Sequence, residues 1–245
     1  MSIVQAIREC VETRRNNRRL SRSITSENGM GQHYTDPQHP VVRRTVQLAK
    51  ETGAKDILDM GTGRGLTAIA LAKEADTRIT ASDINPAGLE ELQAKAKRAK
   101  LPISTQLFNA ACALPKQWQN AFDMVVAKDV LPFLYPAELK PFFSNIANAL
   151  KPGGWAIVTA PAQNSQLYEG STPFTNPNGA FSRQLTDGDK EFIQTTVDSF
   201  NFETEEHLSE EAEEVGLTLT ETELFGRASG WLWAILQKPV AQKPE

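Results

Sequence analysis

Asp59, Gly61, Gly63 and Gly65 alternate with other residues in the stretch Ile57-Leu-Asp-Met-Gly-Thr-Gly-Arg-Gly65, and Asp83 lies 22 residues beyond Gly61. Glycine tolerates backbone angles that other residues avoid, and it lets a ligand approach the main chain closely. The apolar residues before the turn read as a buried strand and those after it as a helix. The turn therefore opens onto a helix N-terminus, where unpaired N–H groups and the positive end of the dipole collect. A ligand carrying a carboxylate or a phosphate suits such a place. Asp83, at the end of the next strand, offers two oxygens to the two hydroxyls of a ribose. Together these residues call for a nucleoside-bearing ligand. In the dinucleotide fingerprint the third glycine comes five positions after the first. Here it comes four after, and position 66 is Leu.

The elements that must hold these residues can be read around them. Pro40 is placed to start a helix running to about Lys50. Strands are expected at 56–60, 78–82, 104–108, 122–127 and 155–159, with helices at 65–74, 88–99 and 136–150 between them. Asn85-Pro86 supplies an N-cap and a first-turn proline, and Lys151-Pro-Gly-Gly reads as a helix stop. Such alternation implies a parallel sheet with helices on both faces. An acidic helix at 203–215 and two strands at 217–225 and 231–237, joined by a short turn, read as a closing β-hairpin.

The ordered set of motifs resembles the class I S-adenosylmethionine-dependent methyltransferase family. The D-x-G-x-G-x-G turn is similar to that family's first motif. Phe122-Asp-Met-Val-Val-Ala-Lys-Asp is similar to its fourth strand and following loop, and Leu150-Lys-Pro-Gly-Gly-Trp to the turn before its fifth. An acid at Asp83's spacing also serves NAD proteins, so it supports the nucleoside more than the particular cofactor. The resemblance implies an α/β, doubly wound, mostly parallel seven-stranded sheet with a C-terminal antiparallel hairpin. To this it adds an N-terminal helical cap and an insert after strand five. Residues 1–40 would be the cap and hinge, and 41–240 the methyltransferase domain, with a lid-like insert at 161–200. It further implies S-adenosyl-L-methionine as cofactor and S-adenosyl-L-homocysteine as product. Asp59 and the loop Gly61, Thr62, Gly63 and Gly65 would face the methionine part, Asp83 the ribose, and Ile84, Asn109 and Ala110 the adenine. Lys128 and Asp129 would lie at the methyl-donor mouth, with the Lys128 side chain turned away because a cation there repels a sulfonium.

Methyl transfer is an in-line displacement for which alignment can supply roughly 7–11 kcal/mol, so a general base is optional. The catalytic candidates are His33, Tyr34 and Asp129. His33 and Tyr34 sit in a polar stretch read as a loop or hinge, where Tyr34 could also meet the cofactor; the alternative is a solvated hinge. Asp129 is either a base or orienting group, or a helix cap. Tyr168, Phe174, Phe181 and Arg183 in the insert are substrate candidates, since the insert leaves a strand's carboxyl end, the ligand edge of such sheets. His39 is expected simply to start a helix, and His207 to be a surface group. No metal site is expected.

Composition sets the outer limits. The chain has 245 residues, two cysteines, 40% hydrophobic residues and a net charge of −4. It is long enough for a sizeable core and too poor in cysteine for a disulfide framework. It lacks an apolar run of about 18 residues, so no transmembrane segment is expected, and the start does not resemble a secretion signal; a cytoplasmic protein is expected. The average charge hides an asymmetry: residues 1–22 hold six arginines against two glutamates, while 203–214 hold seven glutamates and no lysine or arginine. A small-molecule methyl acceptor is the first reading. The alternatives are a protein or RNA methyltransferase that recognises its substrate through the basic head, and a non-catalytic cofactor-binding module. The head leaves contact with nucleic acid open, and a homodimer is open too.

Overall fold

The computed structural model describes residues 23–25, 32–34, 36–163, 172–173, 182–193, 195–197, 199–225 and 230–240. The arginine-rich head, Tyr168, Phe174 and Phe181 lie outside the described residues. A seven-stranded sheet carries the site. Its strands are β3 (Asp56–Met60), β4 (Arg78–Asp83), β5 (Ile103–Leu107), β6 (Phe122–Ala127), β7 (Leu150–Pro161), β11 (Thr218–Phe225) and β12 (Trp231–Gln237), in the spatial order β11-β12-β7-β6-β3-β4-β5. The five strands from β3 to β7 run parallel, and β12 and β11 close the sheet antiparallel. This is the sheet the sequence predicted, and its central strands explain why. Ile57, Leu58 and Met60 on β3, and Met124, Val125 and Val126 on β6, are fully buried, as central parallel strands covered on both faces must be.

The helices are α1 (Pro40–Thr52), α2 (Leu66–Glu74), α3 (Pro86–Ala99), α4 (Pro136–Ala149), α5 (Asp187–Ile193) and α6 (Glu205–Glu214). Their starts follow local chemistry. Asn85 accepts a hydrogen bond from the Ala87 N–H at 3.1 Å and caps α3, and Glu138 accepts one from the Tyr135 N–H at 2.8 Å at the head of α4. Phe142, Phe143 and Ile146 of α4 are fully buried in one of two main core clusters, against the sheet. Truncating either phenylalanine to alanine would cost about 3–5 kcal/mol. On the opposite face, α1, α2 and α3 cover Ile57, Ile79 and Ile157. None of the described helices is long and apolar enough to cross a membrane.

Three local expectations change. The residues after α4 do not form a turn before a short strand; β7 begins at Leu150 and runs twelve residues, taking Pro152, Gly153 and Gly154 into the strand. Gly153 adopts φ +80° within it, and Gly154 is packed against Lys151 and Asp123 carbonyl oxygens, where a Cβ would sit 2.9 and 3.1 Å away. The stretch read as a hinge contains an antiparallel hairpin, β1 (Ser23–Thr25) with β2 (Gln32–Tyr34). Within the insert, β8 (Thr172–Pro173), β9 (Ser182–Gln184) and β10 (Ser199–Asn201) form a separate antiparallel sheet. Leu185, Phe200 and Phe202 make a small core there, packed on Phe133 and Trp231.

Candidate functional site

The connections from β3 and from β6 leave in opposite directions, so neighbouring strands β3 and β6 part at their carboxyl ends. Ligands of open α/β sheets bind at such a switch point. The turn after β3 is folded tightly onto β4: the Gly61 and Thr62 N–H groups both donate to the Ser82 carbonyl, at 2.7 and 2.9 Å. Gly61, Gly63 and Gly65 all adopt positive φ, +72°, +56° and +81°. Close approach adds to the demand. A Cβ on Gly61 would sit 2.2 Å from Val130 Cγ2 across the switch point, and one on Gly88 of α3 would sit 2.8 Å from the Gly63 carbonyl oxygen.

Asp83 is half-buried at the end of β4. Its Oδ2 accepts the Gly63 N–H at 2.7 Å and its Oδ1 the Asn85 N–H at 2.8 Å. Each carboxylate oxygen keeps a further lone pair, so the group is oriented by the backbone and can still accept from a ligand's paired hydroxyls. Beside it Ile84 is 48% exposed, and Leu107, its neighbour's partner on β5, is 58% exposed. An oriented acid next to an apolar shelf, at the foot of a glycine turn, has the chemistry that an adenosine moiety needs. Asn109 is exposed and accepts the Ala111 N–H at 2.9 Å. Ala110 is buried, and its carbonyl accepts a bond from Asn145 Nδ2 at 2.7 Å. Asn145 also donates to the Cys112 carbonyl at 2.6 Å. It thus fixes the loop after β5 from α4; nothing in its local sequence marks it.

Asp59 lies beneath the turn, only 2% exposed. Thr62 Oγ1 donates to its Oδ2 at 2.7 Å, and the Ala68 N–H in the first turn of α2 bonds to it as well. One of the N–H groups expected to await a ligand is thereby taken by the protein. Burial, with the Asp83 charge adding to it against the Thr62 bond, raises the Asp59 carboxyl to about 7.

The loop after β6 is held by side chains. Asp129 adopts φ +59°, uncommon for a residue with a Cβ. Its N–H donates to Thr159 Oγ1 at 2.8 Å, and the same hydroxyl donates back to Asp129 Oδ1 at 2.8 Å. Lys128 Nζ pairs with Asp129 Oδ2. Asp129 is therefore no helix cap; the short helical turn Leu131–Phe133 is preceded by Val130. The Lys128 side chain is 12% exposed.

His39 also belongs to this group of residues. It precedes α1 without capping it through its side chain. Its ring meets Phe225 edge-on at 5.8 Å. Burial, then the Lys128 charge, lowers it to about 4 against the pull of Asp129 and Asp36. His33 and Tyr34 lie on β2, paired with Ile24 and Ser23, and Arg183 lies on β9, paired with Phe200 and Pro173. The insert is tied to the β6 loop by Asn201, whose Nδ2 donates to the Leu131 and Leu134 carbonyls at 2.9 and 2.6 Å. His207 is not a surface group. Burial opposes its charge, but bonds to Glu203 at 2.5 Å and Glu211 at 3.5 Å prevail and raise it to about 10. Glu203 is itself buried and raised, so the pair keeps a proton through neutral pH.

Comparison with known proteins agrees with this geometry. Residues 57–154 match the model of a methyltransferase domain family. The release factor glutamine methyltransferase of Koribacter versatilis is 28% identical over 143 residues, covering 48% of this chain and 50% of that protein. The chain spans about half the length of the curated relatives it matches. Among solved structures, an S-adenosylmethionine-dependent methyltransferase from Methanosarcina mazei superposes with a TM-score of 0.66 at 20% identity, covering 83% of this chain and 99% of that one. The 1,6-didemethyltoxoflavin-N1-methyltransferase of Burkholderia thailandensis, solved with its substrate and S-adenosylhomocysteine, gives 0.60 at 16% identity, covering 82% and 80%. The matched residues include most of β3, all of β4 to β6, the glycine turn, Asp83 and the Lys128–Asp129 loop.

Proposed function

We propose that the protein transfers a methyl group from S-adenosyl-L-methionine to a small-molecule acceptor at oxygen, nitrogen or carbon. The observation that carries the reading is Asp83, oriented by Gly63 and Asn85 N–H groups beside the exposed Ile84, beneath a turn whose glycines leave the backbone bare. In this reading Asp83 accepts from the two ribose hydroxyls, Ile84 covers one face of the adenine, and Asn109 and Ala110 border its edge. The turn Gly61, Thr62, Gly63 and Gly65 takes the methionine part, with Asp59 beneath it. When bound, the cofactor supplies a methyl group on a positively charged sulfur. Lys128 and Asp129, fixed by Thr159, shape the mouth where the acceptor enters. The small-molecule version is favoured by the insert, whose small sheet is tied to this mouth through Asn201, and by the likeness to an enzyme solved with a small heterocyclic substrate. Calorimetry with S-adenosylhomocysteine tests the reading: saturable binding to the folded chain is expected, and no binding at millimolar ligand would refute it.

A second version, methylation of a protein, draws on the sequence similarity to a release factor glutamine methyltransferase. It predicts label transfer from methyl-labelled cofactor into a protein fraction and none into a fraction of small metabolites.

A further inference from the structure

We propose that Asn201 is a positioning residue that makes the insert respond to the glycine turn, so that a nucleoside cofactor bound on the turn also holds the insert's small sheet in place beside the acceptor mouth. This role rests on the cofactor reading and adds to it a link between the two binding events. Two attachments fix the end of the insert. The first is main chain: the Glu203 N–H donates to the Pro161 carbonyl at 2.9 Å, and the Gln163 N–H to the Glu203 carbonyl at 3.1 Å. It leads to β7 and, through the Ala162 N–H on the Gly230 carbonyl at 2.6 Å, to the start of β12. Both strands lie on the far side of β6 from the glycine turn. The second attachment is the Asn201 side chain, 2% exposed, whose Nδ2 donates to the Leu131 and Leu134 carbonyls. These carbonyls stand at the start of the short turn Leu131–Phe133 and just past its end. One amide group therefore holds the turn at both ends. Beside it Phe200 meets Phe133 edge-on at 4.9 Å.

The second attachment leads to the cofactor side. Val130 immediately precedes the Leu131–Phe133 turn, and its carbonyl accepts the Phe133 N–H at 3.0 Å. Its Cγ2 lies 2.2 Å from the place a Cβ on Gly61 would take. Val130 thus packs directly on the bare backbone of Gly61. A continuous path runs from Gly61 through Val130 and the two carbonyls to Asn201 and β10. Packed and hydrogen-bonded groups of this kind carry coupling between sites. Opening of the insert breaks the Asn201 bonds and releases the turn that bears on Gly61. A ligand that needs Gly61 fixed binds the unopened form more tightly, and so it opposes opening; by linkage the effect is equal in both directions. Phe200, Asn201 and Phe202 are all buried, so the opened form is a minor one. Overall cofactor affinity then barely registers the link, whereas hydrogen exchange reports local opening directly.

The test is hydrogen exchange of the full chain, read by mass spectrometry with and without saturating S-adenosylhomocysteine. In the wild type the ligand should slow exchange in residues 182–193 and 199–203 about fivefold or more, the lower end of common coupling between sites. In Asn201→Ala that slowing should be lost. Exchange in the glycine turn should still be slowed there, and affinity by calorimetry should stay within about threefold of wild type. A residue that only supported the fold would raise exchange equally with and without ligand and leave the slowing intact. Val130→Ala cuts the path at its other end and should also lose the slowing; it decides the matter if Asn201→Ala does not fold. Unchanged exchange in the wild-type insert with ligand bound, or slowing that persists in folded Asn201→Ala, would overturn the proposal and leave the cofactor reading intact. Failure of the ligand to bind would remove the cofactor reading and the role of Asn201 with it.

Discussion

The two halves of the sheet's carboxyl edge are built by different means. On the β3–β4 side the candidate site is mostly main chain: a turn of positive-φ glycines, two N–H groups tied to Ser82, and one acid oriented by backbone donors. On the β6–β7 side it is side chain: Lys128 on Asp129, Asp129 on Thr159, His39 against Phe225, and Asn201 reaching across from the insert. Backbone built from glycine has little room to vary. Side chains that meet from distant elements can be exchanged one at a time. A cofactor common to many enzymes and an acceptor particular to one would divide along that line.

The most disruptive change should strike the backbone half. Gly61→Val places a branched side chain at φ +72° with its Cβ 2.2 Å from Val130 Cγ2. Strain and overlap of that kind cost about 3 kcal/mol or more, and the variant should lose measurable binding of S-adenosylhomocysteine. Retained binding would show that the turn is not the ligand surface. Next in size is Thr159→Val, which removes both bonds that hold Asp129 in its left-handed conformation. A loss of about 1–3 kcal/mol in stability is expected, with Thr159→Ser close to wild type, and a larger effect on turnover than on cofactor affinity. Equal loss of both would merge the two halves into one unit.

Asp59 gives a pH test of the backbone half. Its carboxyl is raised in the fold to about 7, so the folded chain keeps a proton that the unfolded chain releases near pH 4. Its contribution to stability is therefore full below about pH 4 and declines as pH rises towards 7. Asp59→Asn, which still accepts from Thr62, should be more stable than wild type above pH 7, by on the order of 2–4 kcal/mol, and equal to it at pH 4. Thermal melts at the two pH values check this; a difference independent of pH would contradict it. The smallest effect belongs to a contact remote from both halves. Arg44 of α1 makes a bidentate pair with Glu221 of β11, at 3.0 and 2.7 Å, partly open to solvent. Glu221→Gln should cost about 1 kcal/mol or less, read by denaturant midpoint, and leave ligand binding unchanged.

The same division decides what the sequence discloses. The glycine turn, Asp83 and the parallel strands around them lie within one stretch of chain, and each residue's type is dictated locally by positive φ, a strand end or burial on both faces. All were legible. Thr159, His39, Asn145 and Asn201 depend on contacts between residues 30 to 186 positions apart. No local pattern reports such a meeting, so His39 reads only as a helix start. The β7 start was missed for a related reason. Lys-Pro-Gly-Gly has the composition of a terminator, yet Gly153 and Gly154 are held in the strand by Lys238, which donates from its backbone to the Gly154 carbonyl and accepts from Gly153.

The division itself can be measured directly by titrating S-adenosylhomocysteine into the wild type, Asp83→Ala and Thr159→Val by calorimetry. The account predicts that Asp83→Ala folds normally and weakens binding by about 100-fold, near 2.7 kcal/mol, while Thr159→Val changes it by less than about threefold, under 1 kcal/mol. Unchanged affinity in Asp83→Ala would contradict the account.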